Sequence, residues 1–291
     1  MSVREPVEHT LPGPTGYAVP VDWLPAANAQ GTFVMMAALG MQIRFYLPLA
    51  QALNEAGFHV AMVEQRGHGK SALRASRRVD YGFRDLLTED IPAVLDWVDT
   101  QAPGLPVYLL GHSLGGHLAA ITAGRLPERV AGLVLCACGS PWVRAFSGKV
   151  GVQLRVLCEL IPVATRLAGY YPGDRLGFGG REARTLMADW LALARTNRYS
   201  ATGLQENLDA GIARYTGPVL SLRLQDDDYA PAAAMAAVTD KFHAAPVTPV
   251  VLDARTLGDR ADHVRWARTP AAVVATITDW LANVKVNHTP S

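Results

Sequence analysis

The stretch LPVYLLGHSLGGHLAAITAGRLPE, residues 105–128, decides the fold. Its first part is a continuous apolar run, fit for a strand buried on both faces. Its last part reads as a helix. Between them stands Gly111-x-Ser113-x-Gly115. A chain that turns so sharply from strand to helix holds the central serine in a strained conformation, and small residues on either side let strand and helix approach. The Ser113 hydroxyl then projects at the top of the sheet, with the first N–H groups of the helix aimed at it. A chance five-residue match in an ordinary turn is the competing reading, so the flanking segments carry the decision.

Working outward, the flanks repeat the same alternation. GTFVMMAAL is a buried strand, RFYLPLAQALNEAGF a helix with Gly57 at its end, and HVAMVEQ a strand running into the turn RGHGKS. DLLTEDIPAVLDWVDTQAPG is a helix and RVAGLVLCACGS the strand after the 105–128 unit. Such alternation predicts an α/β fold, a mostly parallel sheet flanked by helices on both faces. Residues 1–30, rich in Pro and Gly, suit one or two antiparallel edge hairpins. From about residue 141 to 215 no strand is expected; VGVQLRVLCELIPVATRLAG and REARTLMADWLALARTN read as helices around the loop YYPGDRLGFGG. TGPVLSLRLQ then resumes the strand pattern, followed by helix PAAAMAAVTDKFHAA, strand TPVVLDAR, helix AAVVATITDWLANV and a frayed tail, VNHTPS. The expected organisation is therefore a core in two parts, 1–140 and 216–291, interrupted by a helical cap insertion at 141–215.

A serine hydroxyl is a weak nucleophile at neutral pH and needs a base, which in turn needs an orienting acid. On this kind of sheet such groups gather at the carboxyl ends of strands, in the chain order serine, acid, histidine. The strand GPVLSL ends in Asp226-Asp227-Asp228, and buried strands do not end in three carboxylates for packing reasons. TLGDRADHVRWA follows the last strand and supplies His263. His112 and His117 read as packing groups beside the turn, and His68 as structural in RGHGKS. His9, His59, His243 and His288 have no supporting context.

With the Gly-x-Ser-x-Gly turn, the aspartate row and His263 in this order, the sequence resembles the α/β-hydrolase superfamily over most of the chain outside 141–215. The resemblance implies a carboxylic ester or thioester hydrolase with Ser113 as nucleophile, His263 as base and Asp227 as acid. Asp227 stands four residues before Pro231, where the family's acid is often found; Asp226 and Asp228 remain alternatives. It also implies two oxyanion donors, the N–H of Leu114 and one from the loop MMAALGMQ, assigned to Leu39 with Gly40 or Met41 as alternatives. Ala37-Ala38 replace the His-Gly pair many relatives carry there. LGFGGREARTLMADWLALARTNRY resembles a bacterial branch of predicted α/β hydrolases.

The aromatic residues of the insertion (among them Tyr170, Tyr171, Phe178 and Trp190) either bury the cap or line a pocket for a hydrophobic acyl or aromatic group. Arg181 and Arg184 read as solvated, with an anionic contact as the alternative. An acyltransferase would use the same residues, and a non-catalytic binding protein would keep only the fold. A haloalkane dehalogenase would need Asp at position 113.

Composition narrows the rest. Hydrophobic residues make up 49% and charged residues 18%, with net charge +1. These values suit an ordinary globular protein with a well-filled core and argue against nucleic-acid binding, and the resemblance implies a small-molecule ester or thioester as the partner. Cys136, Cys138 and Cys158 fit neither a disulfide framework nor a zinc site, and no dinucleotide fingerprint is present, so no cofactor or metal is expected. No apolar run approaches the ~20 residues of a membrane span. The start MSVREPVEHTLPGP lacks the apolar segment of a secretory signal. A cytoplasmic location is the expectation.

Overall fold

Strand β1 (Val7–Pro12) pairs antiparallel with β2 (Ala18–Leu24), which pairs antiparallel with β4 (His59–Val63). Beyond β4 every neighbour is parallel: β3 (Thr32–Met36), β5 (Val107–His112), β6 (Gly132–Cys136), β9 (Val219–Leu224) and β10 (Val247–Leu252). In this computed structural model, which describes residues 5–13 and 15–287, the order across the sheet is β1-β2-β4-β3-β5-β6-β9-β10. The expected α/β architecture is therefore observed, edge hairpin included.

Side chains alternate along each strand, and the alternation builds two cores. Val34, Met36, Ala61, Val63, Leu109, Leu133 and Leu135 face one side. There they meet α3 (Ile91–Gln101) and α4 (Leu114–Arg125). Phe33, Met35, Val60, Met62, Leu110, Val134 and Leu222 face the other. Their partners are α1 (Leu47–Glu55) and α11 (Ala271–Asn287). α11 runs through Val286 and Asn287 of the segment expected to fray; residues 288–291, His288 included, lie outside the described residues.

Local chemistry adjusts several boundaries. α1 starts at Leu47 behind a 3-10 turn (Ile43–Tyr46), with Pro48 in its first turn, where a missing N–H costs nothing. α2 (Phe83–Asp85) reaches α3 through a π-turn, Leu86–Asp90, just ahead of Pro92. Pro92 cannot donate to the helical ladder, so the ladder widens there.

The stretch 141–215 carries α5 (Gly148–Ala168), α6 (Gly173–Leu176), α7 (Arg184–Thr196) and α8 (Leu208–Arg214). It also contains a short antiparallel pair, β7 (Tyr171–Pro172) with β8 (Arg181–Glu182), where no strand was expected. Two-residue strands are too short to show alternation in sequence. Tyr171, Met187, Trp190 and Leu191 share one hydrophobic cluster with Leu118 and Ala119 of α4. α8 lies directly on α4: a Cβ on Gly211 would come 2.8 Å from the Gly124 carbonyl oxygen. α9 (Ala232–Thr239) and α10 (Ala254–Leu257) complete the fold; Asp253 Oδ1 accepts the Thr256 N–H at 2.7 Å and so ends the β10 run early.

Candidate active site

Ser113 joins β5 to α4 with φ 50° and ψ −114°, outside the regions L-residues ordinarily occupy. The two glycines explain how the turn is tolerated. A Cβ on Gly111 would stand 2.3 Å from the Gly115 carbonyl carbon, and one on Gly115 would stand 2.2 Å from the Met36 carbonyl oxygen. Neither position has room for a side chain. The Ser113 N–H donates to the Cys136 carbonyl at 3.0 Å, tying the turn to β6. Ser113 is partly exposed at the carboxyl edge of the sheet.

The aspartate row divides cleanly. Asp226 and Asp228 are exposed, whereas Asp227 is buried. Asp227 Oδ1 accepts the N–H groups of Tyr229 at 2.8 Å and Ala230 at 3.1 Å. Its Oδ2 meets His263 Nδ1 at 2.8 Å. His263 lies on the loop between α10 and α11, where Trp266 Nε1 donates to its carbonyl at 3.1 Å. Its ring rests against His112, the residue before Ser113, with centroids 4.8 Å apart. Tyr229, 57% exposed, stands on the His263 ring at 5.3 Å. The structure thus brings Asp227, His263 and the β5–α4 turn to one edge.

The loop after β3 closes that edge from the far side. The Ala38 N–H donates to Tyr46 Oη at 3.2 Å, and the Met41 N–H donates to the Ala38 carbonyl at 3.1 Å. The N–H groups of Leu39 and Gly40 have no acceptor among the described residues. Leu114, first residue of α4, has no residue ahead of it in the helix to receive its N–H. A depression of about 470 Å³ borders the loop, lined by Gly40, Met41, Gln42, Arg44 and Phe45.

Tyr46 was not foreseen. Its hydroxyl shares a 2.6 Å hydrogen bond with His112 Nδ1. It therefore links the loop after β3 to the residue before Ser113. In sequence it is one more apolar position of the α1 segment, and nothing marks it. Burial, then the neighbouring His263, holds the His112 imidazole well below its ordinary value, against the pull of the His263 backbone, so the ring stays neutral.

Among the described residues, the remaining histidines stand apart from the Asp227–His263 pair. His117 is buried between Tyr199 Oη at 2.6 Å and the Gly139 carbonyl at 3.2 Å, and burial pushes it down to about 4. His59 stacks on Trp23, His9 sits against Trp97, and His243 lines a surface depression by Lys241. His68 does more than shape its turn: Nε2 meets Glu182 Oε2 of β8 at 3.1 Å, both buried. Burial lowers the imidazole, but the Glu182 carboxylate outweighs it and holds His68 above its ordinary value. Glu182 Oε1 also accepts the Gly180 N–H at 2.8 Å, and a Cβ on Gly40 would stand 2.3 Å from Gly180 N. The β7–β8 hairpin is thereby seated on the loop that carries Leu39. Arg181 and Arg184 are not simply solvated: Arg181 Nε donates to the Ala75 carbonyl at 2.6 Å, and Arg184 Nε lies 3.1 Å from Asp80 Oδ2. Phe178 and Trp190 pack on each other at 5.3 Å, and Tyr171 is fully buried.

A parallel sheet with a serine at its sharpest strand-to-helix turn is the architecture of the α/β hydrolases; this chain has that fold and is similar in sequence to members of that superfamily. Residues 27–165 match the family model Hydrolase_4, described as serine aminopeptidase, S33. Monoacylglycerol lipase of Mycolicibacterium smegmatis is 30% identical over 161 residues, 53% of this chain and 55% of that protein. Human monoglyceride lipase is 33% identical over 113 residues, 39% of this chain and 36% of that protein. The chain thus spans about half the length of the first relative and about a third of the second. A bacterial membrane phospholipase A superposes with TM-score 0.65 at 17% identity, covering 97% of this chain and 87% of that one. A carboxylesterase of the thaumarchaeon Nitrososphaera gargenis gives 0.63 at 17%, covering 96% and 100%. At such identities the superpositions speak for the fold. The matched family segment contains Ser113 and ends before Asp227 and His263.

Proposed function

We propose that the chain is a serine hydrolase of carboxylic esters or thioesters with a hydrophobic acyl or aromatic part. Ser113 Oγ attacks the carbonyl carbon and gives its proton to His263. Asp227 fixes the imidazole tautomer and stabilises its protonated form. The N–H groups of Leu114 and Leu39 receive the developing oxyanion. His263 then protonates the leaving group, and water, activated by the same imidazole, hydrolyses the acyl-enzyme. The helices of the 141–215 insertion form the cap over this edge.

The observation that carries the reading is the 2.8 Å Asp227–His263 contact, set beside a serine held at φ 50°. A buried carboxylate that accepts two backbone N–H groups and lies against one imidazole supports the role of orienting acid. The exposed Tyr229 ring against His263 offers apolar surface for the acyl or aromatic part. The names of the curated relatives make a glycerol monoester the first natural substrate to try. Hydrolysis of monoacylglycerols alongside p-nitrophenyl esters of rising chain length tests the reading. Turnover with an optimum at a medium or long chain supports it; no turnover of any ester or thioester contradicts it.

A further inference from the structure

Helix α5 is apolar on two opposite faces, and only one of them is covered. At about 100° per residue, Cys158, Ile161, Leu154 and Leu157 turn inward, where they join the core shared with α4. Val152, Val156, Leu160, Val163 and Leu167 fall within an arc of about 80° on the opposite side. Each of these five is between 50% and 69% exposed. A helix that is apolar all round is ordinarily buried all round, and an aliphatic stripe four turns long in water marks a surface that meets something.

The residues around the stripe say what. Lys149 lies at its start, and Arg155 and Arg166 run along one margin. None of the three is in an ion pair among the described residues. Glu159, on the same margin, is taken by Arg195 at 3.0 Å. The free charge beside the stripe is thus cationic. The stripe itself is Val and Leu with no aromatic residue, unlike the Trp- and Tyr-anchored centre of a protein interface.

We propose that this face docks on an anionic phospholipid surface. α5 lies parallel to the bilayer, the five aliphatic side chains enter the acyl boundary, and Lys149, Arg155 and Arg166 meet lipid phosphates. Nothing in this face depends on Ser113 or its partners. With α5 on the lipid, the insertion is the part of the molecule nearest the membrane.

Co-sedimentation of the full chain with phosphatidylcholine vesicles, with and without phosphatidylglycerol, tests the proposal. Binding is expected to the anionic vesicles and to fall several-fold from 0.1 to 0.5 M salt. Val156→Asp/Leu160→Asp/Val163→Asp should reduce the bound fraction at least tenfold, and Arg155→Gln/Arg166→Gln should lose the preference for anionic lipid. Both variants should keep wild-type rates on a water-soluble short-chain ester, or wild-type melting if no ester is turned over. Three results would overturn the proposal: wild type that stays in the supernatant, a triple variant that sediments like wild type, or a wild-type dimer that the triple variant splits. The last would assign the face to a second copy of the chain.

Discussion

Asp227 Oδ2 meets His263 Nδ1 at 2.8 Å while Asp227 Oδ1 is held by two backbone N–H groups, so the carboxylate has one orientation and its free oxygen points at the imidazole. Asp227→Asn keeps the shape. Its Oδ1 would still accept from Tyr229 and Ala230, which turns the amide N–H₂ toward His263 Nδ1 and selects the wrong tautomer. The expected loss in kcat/KM on a p-nitrophenyl ester is about 10³- to 10⁴-fold. Asp226→Asn and Asp228→Asn, at exposed positions, should stay within about twofold of wild type. Equal losses at all three would contradict the assignment.

Tyr46→Phe should strike the oxyanion side without touching the triad. The variant removes the acceptor of the buried Ala38 N–H and the partner of His112 Nδ1. An unmet buried group costs about 1–3 kcal/mol, and the loop carrying Leu39 is free to shift to recover it. kcat is expected to fall by about tenfold with a smaller change in KM, and serine labelling should slow but persist. Unchanged kcat would show that Tyr46 only fills space.

The His68–Glu182 pair makes a prediction with a sign in pH. His68 binds its proton more tightly folded than unfolded, because burial is outweighed by Glu182. Its stabilising contribution is therefore complete below the unfolded value of 6.5 and fades as pH rises through the higher folded value. His68→Gln should lower the melting temperature more at pH 5.5 than at pH 9, measured against wild type at each pH. At this chain size each kcal/mol reads as about 2–4 °C. A deficit that grows toward pH 9 would contradict the charged pair.

The parts of the site that could be read in sequence are those whose local pattern has one physical meaning. A buried strand followed at once by glycines around a serine leaves one backbone path, and Gly111 and Gly115 indeed have no room for a Cβ. In sequence Asp227 is distinguished from its neighbours only by the spacing to Pro231; in the structure it is the buried one of the three. Tyr46 and Glu182 were not legible. Tyr46 looks like any apolar residue of a helix, and its polar role exists only where the helix meets His112. Glu182 stands near the head of REARTLMADWLALARTN, a stretch that reads as a helix, 114 residues from its partner, and nothing local marks the pairing. Arg181 and Arg184 looked solvated for the same reason: the loop that receives them is distant in sequence.

The most direct test of the account is the intact mass of the protein after incubation with a fluorophosphonate, for wild type and for Ser113→Ala. A single adduct is expected on wild type and none on Ser113→Ala. Wild-type protein that stays unlabelled under conditions that label a known serine hydrolase, or an adduct that persists in Ser113→Ala, would contradict the claim that Ser113 is an activated nucleophile.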